Sequence, residues 1–456
     1  MSRLDPSPQS GVTDHPTSRS VLPLRRWLRN VRRAAAALLV LLLSLGAATP
    51  LGRYLARATF EEGKILARRR PIADLLRDTT ISADVRRRLQ LVIDARAFAQ
   101  RSLALTGGES FTTYSALDRD TLVLVLSAAR RDTLAAYTWW FPVVGRFPYK
   151  GFFDFRSAAR TRDDMQRRGY DTALRSASAF STLGWFNDPL LSTTLGLDSL
   201  DLANTVIHEL THNTLFVKGQ VSFNESFASF VGARGAAAFF RSRGQALAAR
   251  RVDAEWEDEK QLGAFWAATV RAIDSAFAAH PGDSLARLGA RDTVYTRMRR
   301  VLLADLAPRM PTVSRSRLEH LPLDNAELLA RRVYASDLWL FDEVHRRVGG
   351  TLAETVTRVS RLVRATGGDP FDALRDWIET NAERTSSGAV DTSVIPYPGR
   401  LRVSFSLVCH ARSASSVPHR YPRAALLPIA FRRLTALLTF TQRTHARDAF
   451  QLRHRC

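Results

Sequence analysis

The sequence predicts a predominantly helical α+β fold with a small sheet. After residue 59, apolar residues mostly recur three or four positions apart, the spacing of amphipathic helices. Short β-branched or aromatic runs are confined to residues 121–193, which indicates few strands. The 456 residues suffice for a large core, and 45% hydrophobic with 24% charged residues is ordinary for a globular protein.

The net charge of +22 lies mainly at the two ends of the chain. Residues 1–53 hold eight Arg against two Asp, and residues 384–456 hold twelve Arg against two Asp. The middle is therefore only mildly basic, and it contains no zinc-finger spacing, RNP-like motif or helix-turn-helix signal. We expect no nucleic-acid partner. Both cysteines, Cys409 and Cys456, lie in the basic tail, which excludes a disulfide framework for the body.

The N-terminal segment is typical of an export signal. Residues 1–33 are predicted to be a disordered, basic, cytoplasmic segment whose last nine residues include five arginines. The apolar run Ala34–Ala48 follows, in the order of a secretory signal, although it is shorter than the ~20 residues of a comfortable membrane span. We predict a signal anchor or signal peptide over 34–52, with a buried helix as the alternative. This places the protein in the bacterial inner membrane, with the rest of the chain outside the cytoplasm.

The first body segments are predicted helices. Residues 60–78 have helical spacing broken by Pro71. Residues 81–105 form a long amphipathic pattern, with Ser82 as its cap and Gly107–Gly108 as its stop.

The predicted strands follow. Residues 121–129 are short, apolar and β-branched, and residues 137–155 are aromatic and broken by Pro and Gly. A helix over 156–170 ends at Gly169. Residues 171–193 then indicate an edge strand and a turn at Asn187–Pro189. The rest of the domain, which we place at 53–383, is mostly helical. Residues 384–456 form a basic appendage, disordered or loosely attached to a membrane.

The stretch "HELTH" is the strongest chemical signal. A helix over 200–216, capped by Asp198 or Ser199, would present His208 and His212 from one face, one turn apart. Two imidazoles at this spacing can reach one Zn²⁺, and Glu209 beside them can act as a general base. The alternative is a polar helix that matches the motif by chance.

A third ligand is needed, since catalytic zinc sites use three protein ligands and one open position. Glu225, in "FNESFASF", lies at the start of a second predicted helix that Ser222 or Asn224 could cap. A turn containing Gly219 would fold this helix back, so Glu225 could bind the metal. Alternatively, its carboxylate serves only the N-terminus of its own helix.

Several segments resemble the bacterial predicted aminopeptidase family, a group of exported or membrane-anchored zinc peptidases. They are "RRPIADLL", "WWFPVVGRFPYKGFF", "STLGWFNDPLLST", "HELTH", "FVKG" and "FNESFASF", within roughly residues 55–380. The resemblance implies a zincin-like core with one Zn²⁺ per chain, held by His208, His212 and Glu225, with Glu209 as base. "NESFA" is also similar to the ligand segment of gluzincins, although the twelve-residue gap before Glu225 is shorter here.

These features predict a zinc peptidase, most simply an aminopeptidase, that acts on peptides and is tied to the membrane by its N-terminal helix. The oxyanion could be stabilised by Tyr334, or by Tyr149 or Lys150. The aromatic residues Trp139, Trp140 and Trp185 could line a substrate cleft, but such residues more often belong to a core. The alternatives are an envelope endopeptidase or oligopeptidase, and a non-catalytic membrane-anchored protein with a structural zinc. Substrate-binding residues and oligomeric state cannot be inferred.

Overall fold

The computed structural model describes most of the chain. Described are residues 22–119, 121, 123–141, 145–177, 189–333 and 335–386. Trp185, Tyr334, the predicted turn at Asn187 and residues 387–456 of the predicted tail lie outside these ranges. Residues 384–386, predicted to belong to the tail, end the last helix instead. One compact unit comprises residues 1–141 and 146–389; the second comprises 142–145 and 390–456 and lies almost entirely outside the described residues.

Helices dominate the first unit, as predicted. They are α1 (Leu22–Ala48), α2 (Pro50–Ala67), α3 (Ile72–Arg77), α4 (Ala83–Ser102), α5 (Phe155–Arg167), α6 (Ser192–Leu195), α7 (Ser199–Thr214), α8 (Val221–Ser242), α9 (Ala246–Ala278), α10 (Ser284–Arg300), α11 (Arg315–Glu319), α12 (Asn325–Arg332), α13 (Leu338–Val348), α14 (Leu352–Ala365) and α15 (Pro370–Ser386). A π-helical turn and a 3₁₀ turn continue α10 to residue 309.

The strands form small sheets. They are β1 (Arg70–Pro71), β2 (Thr113–Ser115), β3 (Val123–Arg130), β4 (Trp139–Phe141), β5 (Gly145–Phe147), β6 (Tyr149–Phe152), β7 (Tyr170–Ala177) and β8 (Leu190–Leu191). In the largest ladder β3 lies between β6 and β7 and is antiparallel to both. β2 pairs antiparallel with β1 and parallel with β8, while β4 pairs with β5.

The predicted boundaries of helices and strands in the body of the chain are largely confirmed. The chain leaves the helical pattern before Pro71, and the hydroxyl of Ser82 accepts a hydrogen bond from the amide of Val85 at the start of α4. α4 ends at Ser102, earlier than the predicted stop. The predicted strand at 121–129 is β3, and the predicted edge strand is β7, at the edge of its sheet.

The N-terminal region differs from its prediction. Residues 22–33, predicted to be disordered, belong to α1, because Arg, Leu and Ala all favour helix. Among the residues described, none of the helices combines the length and apolar character that crossing a membrane requires. A signal anchor or signal peptide over 34–52 stays a prediction.

Helix α8 runs through the centre of the main core. Residues around most of its circumference are buried, which is the pattern of a helix enclosed by others. Phe223, Phe227 and Phe230 pack against Phe341 of α13, with ring centroids 5.6–5.7 Å apart, and Phe223 also meets Phe371. This aromatic layer fixes the rotation of α8 and therefore the direction in which its remaining polar residues point.

Candidate metal centre

Helix α7 carries the HELTH motif on its partly exposed face. Its N-cap is Asp198, as predicted, whose carboxylate accepts hydrogen bonds from the amides of Leu200 and Asp201. One side of the helix is apolar and fully buried; its residues Leu202, Val206, Ile207 and Leu210 are all 0% exposed. The side chains of His208 and His212 are 19% and 20% exposed on the other side, so both can meet a ligand.

A six-residue connection, 215–220, reverses the chain between α7 and α8. Gly219 adopts φ +81°, a left-handed conformation that glycine tolerates best. Gln220 is the N-cap residue but makes no side-chain capping bond, so the predicted caps Ser222 and Asn224 are wrong. Instead, Asn224 accepts a hydrogen bond from the amide of Val217 and donates one to its carbonyl, both at 2.9 Å. This pair of bonds closes the connection.

The reversal brings Glu225 to the two histidines. Its carboxylate oxygens lie 3.5 Å from Nε2 of His208 and 3.8 Å from Nε2 of His212. The two Nε2 atoms are 3.2 Å apart, and the rings are nearly perpendicular. The side chain of Glu225 is 22% exposed. Three donor atoms from two consecutive helices therefore converge on one point.

The spacing of these atoms fits a zinc ion. Nitrogen and carboxylate ligands bind Zn²⁺ at about 2.0–2.2 Å, so two ligands at the tetrahedral angle lie about 3.3–3.5 Å apart. The three observed separations, 3.2–3.8 Å, lie close to this value. Among the described residues no further His, Cys, Asp or Glu joins the group. Three protein donors are the number found in catalytic zinc sites, whereas structural sites have four.

The electrostatics favour the metal-binding forms of His212 and Glu225 but oppose that of His208. Burial works to lower the pKa of His208, but the hydrogen bond with Glu225 and the charges of Glu209 and Glu225 raise it above its ordinary value. Burial, helped by the charge of His208, lowers the pKa of His212 to about 4. Burial opposes ionisation of Glu225, yet both histidines hold its pKa below the usual range. A neutral imidazole and an ionised carboxylate are the forms that bind metal.

Glu209 stands apart from this group. It is partly buried and contributes negative charge to His208, but it is not one of the three converging donors. This arrangement agrees with a carboxylate beside the metal position rather than on it.

Close packing behind the histidines was not visible in the motif. A Cβ added to Gly232 of α8 would lie 2.3 Å from Oδ1 of Asn204 and 3.2 Å from Cβ of His208. Gly232 therefore lets α8 approach α7 beside the first histidine. The buried Nδ1 of His212 has no hydrogen-bond partner among the described residues.

Three further residues were predicted as candidates to stabilise the oxyanion. Tyr334 lies outside the described residues. Burial, with a contribution from the charge of Glu225, raises the pKa of Tyr149, so this residue lies within electrostatic range of the centre. Lys150 lies over the rings of Tyr54 and Phe152, 5.0 and 5.1 Å from their centroids, in a packing role.

The two described tryptophans divide between core and surface. Trp139 is partly buried and packs against a small cluster around Leu126, whereas Trp140 is 58% exposed. Neither observation places them at the converging donors.

Comparison with known proteins identifies the family but gives no closer relative. A family model described as "Putative aminopeptidase" matches residues 53–369, well over half of the chain. This match supports the aminopeptidase resemblance inferred from the sequence, at the level of the family. No curated protein and no solved structure gives a significant match.

Proposed function

The chain belongs to the putative aminopeptidase family, and on this premise we propose that it is a zinc-dependent peptidase, most simply an aminopeptidase. The observation that carries the proposal is the convergence of His208, His212 and Glu225 within metal-binding distances, with Glu209 beside them. We propose that this core, with an HExxH helix and a second ligand helix, is zincin-like. The number of donors favours a catalytic site over the alternative of a structural zinc.

The proposed roles follow from donor chemistry. His208, His212 and Glu225 would hold the zinc ion, and zinc bound there would supply a Lewis acid that polarises a peptide carbonyl and acidifies water. Glu209 accepts a proton from the attacking water as the new carbon–oxygen bond forms. It then delivers this proton to the amine nitrogen that leaves when the carbon–nitrogen bond breaks.

A second donor should stabilise the negative oxygen that develops during attack. Tyr334 remains our proposal for this role, and Tyr149 is its rival because it lies within electrostatic range of Glu225. Loss of activity with retained zinc in Tyr334→Phe, but not in Tyr149→Phe, would assign the role to Tyr334.

The central test separates metal binding from proton transfer. Glu209→Gln should retain one zinc ion per chain and lose peptidase activity by at least about 100-fold, the lower end of a general base's contribution. His208→Ala should lose the zinc as well. Asp201→Asn, which alters an exposed carboxylate on the same helix, serves as the control. Unchanged turnover in Glu209→Gln would remove this residue from the mechanism, and full zinc retention in His208→Ala would remove the ligand assignment.

Peptide end groups distinguish the two peptidase types. An aminopeptidase should cleave peptides with a free amino terminus and leave N-acetylated peptides intact. Cleavage of both at similar rates would favour the envelope endopeptidase or oligopeptidase instead.

The proposed place of action is the cell envelope, with the peptidase domain outside the cytoplasm. The arginine-then-apolar order of residues 25–48 supports it. Fractionation of cells that express the full chain tests this, and recovery only from the cytoplasm would contradict it.

A further inference from the structure

A polar cleft lies at the C-terminal end of α7. The last turn of α7, residues 104–106 and helix α14 form its walls, and its volume is about 630 Å³. Its polar lining residues are Thr106, Thr214, Thr357, Ser360, Arg361 and Arg364. None of the lining residues is acidic, so the cleft is positively charged.

Helix α14 presents its share of these groups from one face. Three of these residues lie three, four and seven positions after Thr357, which places them with it along one side of the helix; they are Ser360, Arg361 and Arg364. The buried residues of the same helix are mostly apolar and include Val359 and Val363. The helix thus displays two hydroxyls and two guanidinium groups together.

Within the described part of the chain, neither arginine is paired with a carboxylate. Arg364 donates from Nη2 to the carbonyl of Thr214, at 3.1 Å. The side chain of Arg361 is exposed and has neither an ion pair nor a hydrogen bond among the described residues. The C-terminal end of α14 contributes only about half a negative charge, which is smaller than the two positive charges.

Ser360 supplies the second indication of a ligand. It is 8% exposed, and its Oγ is buried without a hydrogen-bond partner among the described residues. Leaving a buried hydroxyl unpaired costs about 1–3 kcal/mol, so such groups usually have a partner. A hydroxyl donor beside two guanidinium groups suits an acceptor with several oxygens.

We propose that this cleft binds an oxyanion, a carboxylate or a phosphate group, between Arg361, Arg364 and the hydroxyl of Ser360. Guanidinium groups recognise both anions through paired, charge-assisted hydrogen bonds. The site is separate from the metal centre, although Thr214 follows His212 by two residues on the same helix. It does not depend on the proposed peptidase activity.

Binding of inorganic phosphate and of acetate to the full-length protein, measured by calorimetry at constant ionic strength, tests the proposal. Wild type should show saturable binding of at least one of them. Arg361→Gln should weaken it about tenfold or more, because one charge-assisted contact is lost. Arg358→Gln is the matched control, since Arg358 is on the same helix but lies over the ring of Trp377 and does not line the cleft.

The outcomes separate the sources of the anion and the rival explanations. Binding of acetate and of a dipeptide, but not of its C-terminal amide, would identify a peptide carboxylate; binding of phosphate alone would identify a phosphorylated ligand. Absence of saturable binding, or equal weakening in Arg361→Gln and Arg358→Gln, would overturn the site. His208→Ala should bind the anion as wild type does, so failure of the metal proposal leaves this one standing.

Discussion

Replacing Asn224 with alanine should loosen the hairpin that delivers Glu225 to the histidines. Asn224 is 3% exposed and makes both of its side-chain hydrogen bonds to one residue, Val217, in the middle of the six-residue connection. Glu225 is the next residue in the chain. A change at Asn224 therefore acts on the position of the proposed ligand without removing any donor atom.

The magnitude follows from the two bonds. Each hydrogen bond contributes about 0.5–1.5 kcal/mol net, so their loss should lower the free energy of unfolding by about 1–3 kcal/mol. Val217 is only partly buried, and water can reach its freed groups, which favours the lower half of this range. Residues that orient metal ligands typically contribute 10- to 100-fold to metal affinity. We expect a zinc affinity at least tenfold weaker.

Two assays separate stability from positioning. Urea unfolding of chelator-treated protein gives the free energy without metal, and competition with a chromophoric chelator gives the zinc affinity. Ser222→Ala is the control, because Ser222 lies in the same helical turn and its side chain makes no hydrogen bond among the described residues. Asn224→Asp should resemble the alanine variant, since its second oxygen would face the carbonyl of Val217 instead of donating to it.

Two results would contradict a positioning role for Asn224. If Asn224→Ala loses stability but binds zinc as tightly as wild type, the connection does not position Glu225. If Ser222→Ala is equally impaired, the effect belongs to the helix start rather than to the clamp.

Two further predictions concern other parts of the fold. Gly232→Ala should lower the free energy of unfolding by about 1–3 kcal/mol and weaken zinc binding, because the added Cβ would press on Asn204 and His208. Gly289→Ala is the control, since a Cβ there meets nothing within 4 Å, and its free energy of unfolding should be unchanged or raised. Comparable stability losses in both, measured by urea unfolding, would contradict the packing argument. Asp324→Asn should stabilise the protein by about 1–3 kcal/mol at pH 8 but not at pH 3.5. Burial raises the pKa of Asp324 to about 6 in the folded state, so the free energy of unfolding of the wild type falls as pH rises from about 4 to 6. Asparagine keeps the N-cap of α12, so an equal effect at both pH values in urea unfolding would rule out the titration.

Local signals in the sequence predicted much of the fold. Capping by Asp198 and Ser82, the break at Pro71 and the strand β3 each depend on a few neighbouring residues, and each is found. The sequence predicts that α4 continues to Leu105, because Leu103 and Ala104 favour helix, but the helix ends at Ser102. Ala104 belongs to the following loop and has φ +57°. Tertiary contact decided that boundary, and no local pattern reports it.

At the candidate centre, the sequence supplied the identity of the donors but not their support. Spacing alone indicated that His208 and His212 share a face, and the Asn-Glu pair indicated a second helix. The role of Asn224 was misassigned, because its side chain can cap a helix or bind a loop equally well. Gly232 gave no signal, since a glycine inside a helix reveals nothing about the neighbour that approaches it.

The twelve residues between His212 and Glu225 divide in a way that explains why so short a gap suffices. The first two residues are the end of α7, the next six form the connection, and the last four make the first turn of α8. Each residue added within the helical turn would rotate Glu225 by about 100° away from the histidines. A residue added to the connection would instead break the register between Asn224 and Val217. Either change disturbs the placement of Glu225, so the geometry of the centre constrains the length of the gap as well as the identity of the ligands.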